Sequence, residues 1–396
     1  MSIRKVAVMA RRASYAYVGN WRIDATGYGV TICDFDEASG ALTPRRTVHP
    51  EISVGCLHLD AARNRLYVAD ERSDNPDIGP GGGGRIYAFA IDPGTGDLRE
   101  LNHVSSHGAL ASYVTTDPTG RYLIATNHAR PATVTVVRRD GDRFTVDGLR
   151  DRATTVLFEL TADGSVGRAR DVFTHPVGET GFAHAHCAVR SPDGELYAVC
   201  DKGTDRIYLF RIDADRGALV PVDPAGTPHP TGAAPRYCAF HPRLRTLYVN
   251  SESAPVLVAY SYDESGRLAT RAEVDVLPGL DGRAMPEQAS DLLIDAAGRY
   301  LYNLVRGVDR VVVLELDEQG TPHLVQSLEL GLDNPRGGTL SPDGDFLLVG
   351  CVGDTEVVTL AVGDDGRLTP TGVRMPAKRP GCLVIHRPTA ATTERD

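Results

Sequence analysis

The chain has 396 residues and a formal net charge of −10, from 42 Lys+Arg against 52 Asp+Glu. Its 42% hydrophobic and 24% charged residues are the composition of a globular protein. The acidic balance argues against the broad basic face that nucleic acid requires, and no apolar run approaches the ~20 residues of a membrane helix.

From the N-terminus, Arg4, Lys5, Arg11 and Arg12 flank only a short apolar patch, so no signal peptide is expected. A turn signature then recurs along the chain: Asp36…Gly40, Asp92…Gly96, Asp163-Gly164, Asp213…Gly217, Asp263…Gly266, Asp317…Gly320 and Asp365-Gly366. Asp caps such a turn with its side chain and Gly supplies the positive φ. The seven glycines are spaced 56, 68, 53, 49, 54 and 46 residues apart.

Out of phase with these turns runs an apolar triplet: Ala16-Tyr-Val18, Leu66-Tyr-Val68, Leu123-Ile-Ala125, Tyr197-Ala-Val199, Leu247-Tyr-Val249, Leu301-Tyr-Asn303 and Leu347-Leu-Val349. Between the markers lie β-branched runs such as Thr133-Val-Thr-Val-Val137, Val256-Leu-Val-Ala-Tyr260 and Val311-Val-Val-Leu-Glu-Leu316. Helical periodicity is almost absent. Each repeat therefore reads as four strands: A, then the triplet strand B, the β-branched strand C, and D after the Asp…Gly turn. Four-stranded repeats of about 40–50 residues are propeller blades.

The expected fold is an all-β, seven-bladed β-propeller of four-stranded antiparallel blades, spanning residues 1–387 as one domain. Pro380-Gly-Cys-Leu-Val-Ile-His386 resembles an A strand with no B strand after it, so it is expected to close the ring by pairing into the first blade. Residues 388–396 form a polar tail. A pair of β-sandwiches is the alternative, but sandwiches do not repeat so regularly. The seven Cys are odd in number and contain no Cys-x-x-Cys pair, so neither a disulfide scaffold nor a zinc site is expected. The expected compartment is reducing cytoplasm, and the expected state is a monomer or weak homodimer.

Aligning the blades locates the chemistry. Strands A and B form a hairpin, so the start of A and the end of B share one edge beside the central channel. Eleven residues before each triplet stand Gly55, Ser112, His186, Arg236, Ser290 and Arg336. Five residues after its first member stand Trp21, Glu71, His128, Lys202, Glu252, Arg306 and Val352. Reactive side chains concentrate in the last four blades, and His184 shares a strand face with His186. Guanidinium forks suit carboxylate or phosphate, and His moves protons near neutral pH. The plain structural readings are a salt bridge between Glu252 and Arg236 or Arg306, a solvated turn lysine at Lys202, and a hydrogen-bonding neighbour at His184. His-x-His can also bind metal, but no third ligand stands out and none is expected. Pro80-Gly-Gly-Gly-Gly84 lacks the Lys and helix of a phosphate loop.

The sequence resembles the seven-bladed propeller lactonases, which include propeller-type 6-phosphogluconolactonases and fungal carboxymuconate cyclases. The resemblance rests on His184-Ala-His-Cys-Ala-Val-Arg-Ser-Pro-Asp-Gly194, Asp201-Lys-Gly-Thr-Asp-Arg206, Pro235-Arg-Tyr-Cys-Ala-Phe-His-Pro242, Tyr248-Val-Asn-Ser-Glu252, Arg306-Gly-Val-Asp309 and Pro335-Arg336. It implies a catalytic His186 with Arg236, Glu252 and Arg306, the same four that the ring comparison selects. The family usually has Glu at the place of Asp291, Asn near Cys351, and often Asp-Leu-Gly where this chain has Asp201-Lys-Gly203.

The expected activity is metal-independent and cofactor-free hydrolysis of a small anionic lactone, or binding of its open acid. In it, His186, oriented by Glu252, activates water as the general base. His184, Lys202, Asp291, Arg336 and His128 are expected to bind substrate. A carboxymuconate-type cyclase and a non-catalytic binding platform are the alternatives.

Overall fold

The computed structural model describes residues 14–23, 27–79, 81–130, 133–177, 181–279 and 288–388. The predicted C-terminal tail, apart from Pro388, and the basic N-terminal residues lie outside this set. All seven turn glycines have positive φ, between 63° and 88°. Their missing Cβ atoms also make room. A Cβ on Gly96 would lie 2.3 Å from the Tyr15 ring, and one on Gly366 2.4 Å from the Tyr300 ring. The two sequence signatures meet here across blade boundaries. Tyr17, Tyr67 and Tyr248 donate their hydroxyls to the turn carbonyls of Gly96, Gly164 and Gly320 in the following blade.

These turns and triplets build seven antiparallel blades around a channel. In chain order, the triplet strands are Ser14–Asn20, Arg65–Asp70, Tyr122–Asn127, Tyr197–Asp201, Thr246–Ser251, Tyr300–Arg306 and Phe346–Cys351. Blade 4 adds a short strand, Thr227–Pro228, to its four. Pro380–His386 pairs antiparallel with Ser14–Asn20, so the last strand of the chain is the inner strand of blade 1, as expected. Among the described residues, seven apolar clusters form the core. Each comes from two consecutive blades, and one joins Ala16, Val18 and Cys33 of blade 1 to Leu348 and Val357 of blade 7. The hydrophobic core is therefore itself a closed ring, and no blade buries its faces alone.

One strand assignment is corrected. Thr133-Val-Thr-Val-Val137 is a strand, but not the C strand of blade 3; that place is taken by Thr154–Leu160. Among the described residues, Thr133–Asp140 pairs only with Arg143–Arg150, in a separate hairpin inserted between strands B and C. Val134, Val137, Phe144, Val146 and Leu149 on it are all more than half exposed. The insertion accounts for the long 68-residue interval between Gly96 and Gly164.

Candidate active site

The start of each inner strand is not a regular strand. Register shifts fall between Val54 and Cys56, Ala111 and Tyr113, Pro235 and Cys238, Ala289 and Leu292, and Pro335 and Gly337. The ring residues Gly55, Ser112, Arg236, Ser290 and Arg336 occupy these bulges. A bulge leaves its extra residue outside the ladder and re-aims its side chain. In blade 4 the disruption goes further. Only the bridge Ala185↔Asp201 precedes the short strand Val189–Arg190, and His186 lies beside that bridge. Its backbone is still held, because His186 N–H donates to Cys200 O at 2.8 Å.

Asp201 fixes the neighbouring turn. One carboxylate oxygen accepts the backbone N–H groups of His184, Gly203 and Thr204. The other faces Nδ1 of the fully buried His175 at 3.1 Å. Lys202, the next residue, is thereby presented to the channel mouth.

The mouth divides into two clusters, each centred on a carboxylate at the end of a B strand. Glu252 takes Lys202 at 3.0 Å, Arg236 at 3.1 Å and Arg306 at 3.5 Å. Both plain salt-bridge readings are therefore realised, and Lys202 is paired rather than merely solvated. Burial pushes the Glu252 carboxyl up, but Arg236, Lys202 and Arg306 more than offset this and hold it at about 2. Burial brings Arg306 down to about 9, where it stays protonated at neutral pH. Among the described residues, three cations thus face one carboxylate, an excess of two positive charges.

The second cluster is centred on Glu71, which is 2% exposed. Glu71 Oε2 accepts from Trp21 Nε1 and lies 3.3 Å from Arg336, whose guanidinium sits 3.8 Å above the Trp21 ring. Gly381 opposite gives both room, since a Cβ there would be 2.6 Å from Trp21 Cβ and 3.3 Å from Arg336 Nε. Burial raises the Glu71 carboxyl despite Arg336 and Trp21. Here one cation meets one carboxylate. Trp21 and Glu71 stand in the aligned rings, but their role as a pair was not assigned from sequence.

Three histidines lie between the clusters. The His128 ring centroid is 3.9 Å from that of His184 and 4.5 Å from that of His186. Burial holds all three well below the ordinary imidazole value; Arg236 and Lys202 push the same way. They are neutral at pH 7. Nε2 of His128, Nε2 of His184 and Nδ1 of His186 are buried without a hydrogen-bond partner among the described residues, as is Nε of Arg336, whereas Nε of Arg236 faces Glu252. Buried polar atoms left unpaired are costly, so a mouth that keeps four together is arranged for a ligand.

Two expectations change. Glu252 is bonded to cations and makes no hydrogen bond to His186, so it positions the guanidiniums rather than the imidazole. His186 instead packs on Tyr237, ring centroids 5.1 Å apart, and the Arg236 guanidinium also lies 4.9 Å from that ring. Asp291 does not join the ion pairs. Its carboxylate accepts from Gly338 N–H at 3.0 Å and lines a separate cavity of about 460 Å³ deeper in the channel, with Tyr113, Tyr237 and Arg190. Tyr237 borders both spaces; sequence reasoning missed it because it is the second residue of a bulge.

The family described as "Lactonase, 7-bladed beta-propeller" matches residues 15–385. The chain belongs to this lactonase family. Within the family it is similar to the 6-phosphogluconolactonase of Cronobacter sakazakii, 27% identical over 352 residues, covering 88% of this chain and 93% of that protein. It is also similar to the 6-phosphogluconolactonase of Bacillus subtilis, 24% identical over 288 residues, covering 72% and 73%. The solved structure of a periplasmic gluconolactonase from Pseudomonas aeruginosa superposes with a TM-score of 0.81 at 24% identity, covering 95% of this chain and all of that one. That last likeness is one of fold. This lactonase-family propeller places its convergent imidazoles and guanidiniums at one end of the channel, where bulges in successive inner strands turn them inward.

Proposed function

We propose that the protein hydrolyses a small anionic lactone of the 6-phosphogluconolactone kind, with His186 as general base and without a metal ion. The observation that carries this reading is a neutral His186, with Nδ1 unbonded, packed beside the cation-rich Glu252 cluster. The relatives named 6-phosphogluconolactonase support the substrate class. Support for metal independence comes from the donor set. Among the described residues, the one group of three metal-ligand atoms within 4.8 Å of one another is a set of cysteines, and none of the mouth residues belongs to it.

In the proposed reaction, His186 takes a proton from water as the oxygen attacks the lactone carbonyl. The oxyanion forms beside the Arg236 guanidinium, which Glu252 holds in place. One well-placed donor at such an oxyanion is worth roughly 3–4 kcal/mol. Collapse breaks the ring C–O bond, and the leaving alkoxide takes the proton back from His186. Lys202 and Arg306 hold the anionic group, and Glu252 keeps the three cations apart and fixed. An arriving anion offsets the positive charge that depresses His186, which raises its basicity when it is needed.

The test is turnover of 6-phosphogluconolactone, glucono-lactone and a carboxymuconate, each followed above its spontaneous rate. Selective turnover of the phosphorylated lactone supports the reading. Cyclisation of the carboxymuconate instead would replace it, and turnover of none would favour a binding platform.

A further inference from the structure

Directly behind the mouth, three thiols meet in the interior between blades 4 and 5. Cys187 follows His186 on the irregular inner segment of blade 4, Cys200 lies in Tyr197–Asp201 of the same blade, and Cys238 lies in Pro235–Phe240 of blade 5. Their exposures are 0%, 0% and 3%. All three sulfurs lie within 4.8 Å of one another, and Cys187 Sγ to Cys238 Sγ is 3.8 Å. Sequence spacing hides this cluster because its members come from two blades.

The geometry points to a trigonal thiolate site for a soft monovalent cation, Cu(I). Metal–thiolate bonds of about 2.3 Å place three sulfurs about 4 Å apart in a trigonal plane. The observed separations need only small side-chain adjustments to reach that arrangement. Soft thiolates select Cu(I), whereas Zn(II) in a structural site asks for a fourth donor. Among the described residues the set of close metal-ligand side chains stops at these three, and Leu196, Ile207, Leu209, Leu247, Val249 and Val258 pack around them. Cys200 and Cys238 lie on paired strands, and the backbone next to Cys187 is held by His186 N–H on Cys200 O, so the site is formed before the ion arrives. Each Cu–S bond replaces an S–H bond, the proton leaves to solvent, and copper stays Cu(I) throughout. With no open path through the packed core, loading is expected during folding or through opening of the blade 4–5 boundary.

The test uses the full chain, reduced and anaerobic, titrated with Cu(I) against a competing Cu(I) chelator. It is run once on native protein and once on protein refolded with Cu(I) present. The expected result is one Cu(I) retained per chain, with thiolate-to-copper charge-transfer absorption and three Cu–S distances in the X-ray absorption spectrum. Retention is lost in Cys187→Ser, Cys200→Ser and Cys238→Ser, and kept in the buried control Cys33→Ser. Far-UV circular dichroism of each variant separates loss of the site from loss of the fold. If a variant does not fold, the copper–sulfur distances in the wild-type chain still decide the matter. No Cu(I) retained in either preparation, preferential uptake of Zn(II), or retention by a folded Cys187→Ser/Cys238→Ser double variant would overturn the assignment.

Discussion

The two carboxylate clusters at the channel mouth share a ring position but differ in charge balance. Glu71 has one cation, Arg336, and is sealed under Trp21. Glu252 has three cations and a side chain that is 14% exposed. A sealed, balanced pair holds blades together across the ring; an over-supplied one at the solvent edge attracts anions. The contrast teaches that the same residue type at equivalent places in two blades can serve stability in one and ligand capture in the other, depending on how many cations its neighbours contribute.

The largest effect is expected at the imidazole that serves the Glu252 side. His186→Ala should lower kcat by ~10²-fold or more on the lactone while the melting profile shows an intact fold. Wild-type turnover in that variant would remove His186 from the chemistry. On the opposite side, Glu71→Gln strands Arg336 as a buried, unpaired cation. Urea unfolding should show a loss on the order of 3 kcal/mol, with a smaller effect on KM than any change at Glu252. Arg236→Met should lower kcat about 10²-fold through loss of the oxyanion donor, with Lys202 and Arg306 still pairing Glu252.

Acidity should weaken both sides through the histidines. The folded protein holds His128, His184 and His186 neutral, and His58 and His229 at about 4. The unfolded chain protonates its histidines below about 6.5. Unfolding therefore takes up protons on the acid side, so stability is retained above that pH and lost as pH falls below it. Denaturation curves from pH 7 to pH 4 should show the decline, and a flat series would contradict the assigned neutral rings. The smallest effect is expected outside the comparison. Replacing the hairpin Thr133–Asp140/Arg143–Arg150 with a short turn should change the unfolding free energy by about 0.5 kcal/mol or less, since its side chains are largely exposed.

The fold was legible because each blade repeats its punctuation. The turn glycines need positive φ, and the triplet tyrosines reach the turn carbonyls of the next blade. The inserted hairpin was misread because Val134, Val136 and Val137 carry the same β-branched signal as a buried C strand. Only the long Gly96–Gly164 interval marked it. At the mouth, counting from the triplet found His186, Arg236, Glu252 and Arg306, because bulges recur at equivalent positions. Partnership was not legible. That Glu252 serves three cations, that Trp21 covers Arg336 and Glu71, and that Asp291 lines a deeper cavity all depend on contacts between blades distant in sequence. The thiol cluster was hidden for the same reason.

The central claim is that the Glu252 side receives the anion. The most direct measurement is a crystal structure with the open acid product, 6-phosphogluconate, bound. The expected result is the phosphate on Lys202 and Arg306, with the reacting carboxylate beside Arg236 and within hydrogen-bond reach of His186. An anion seated on Arg336 beside Trp21, with the Glu252 cluster unchanged, would contradict it.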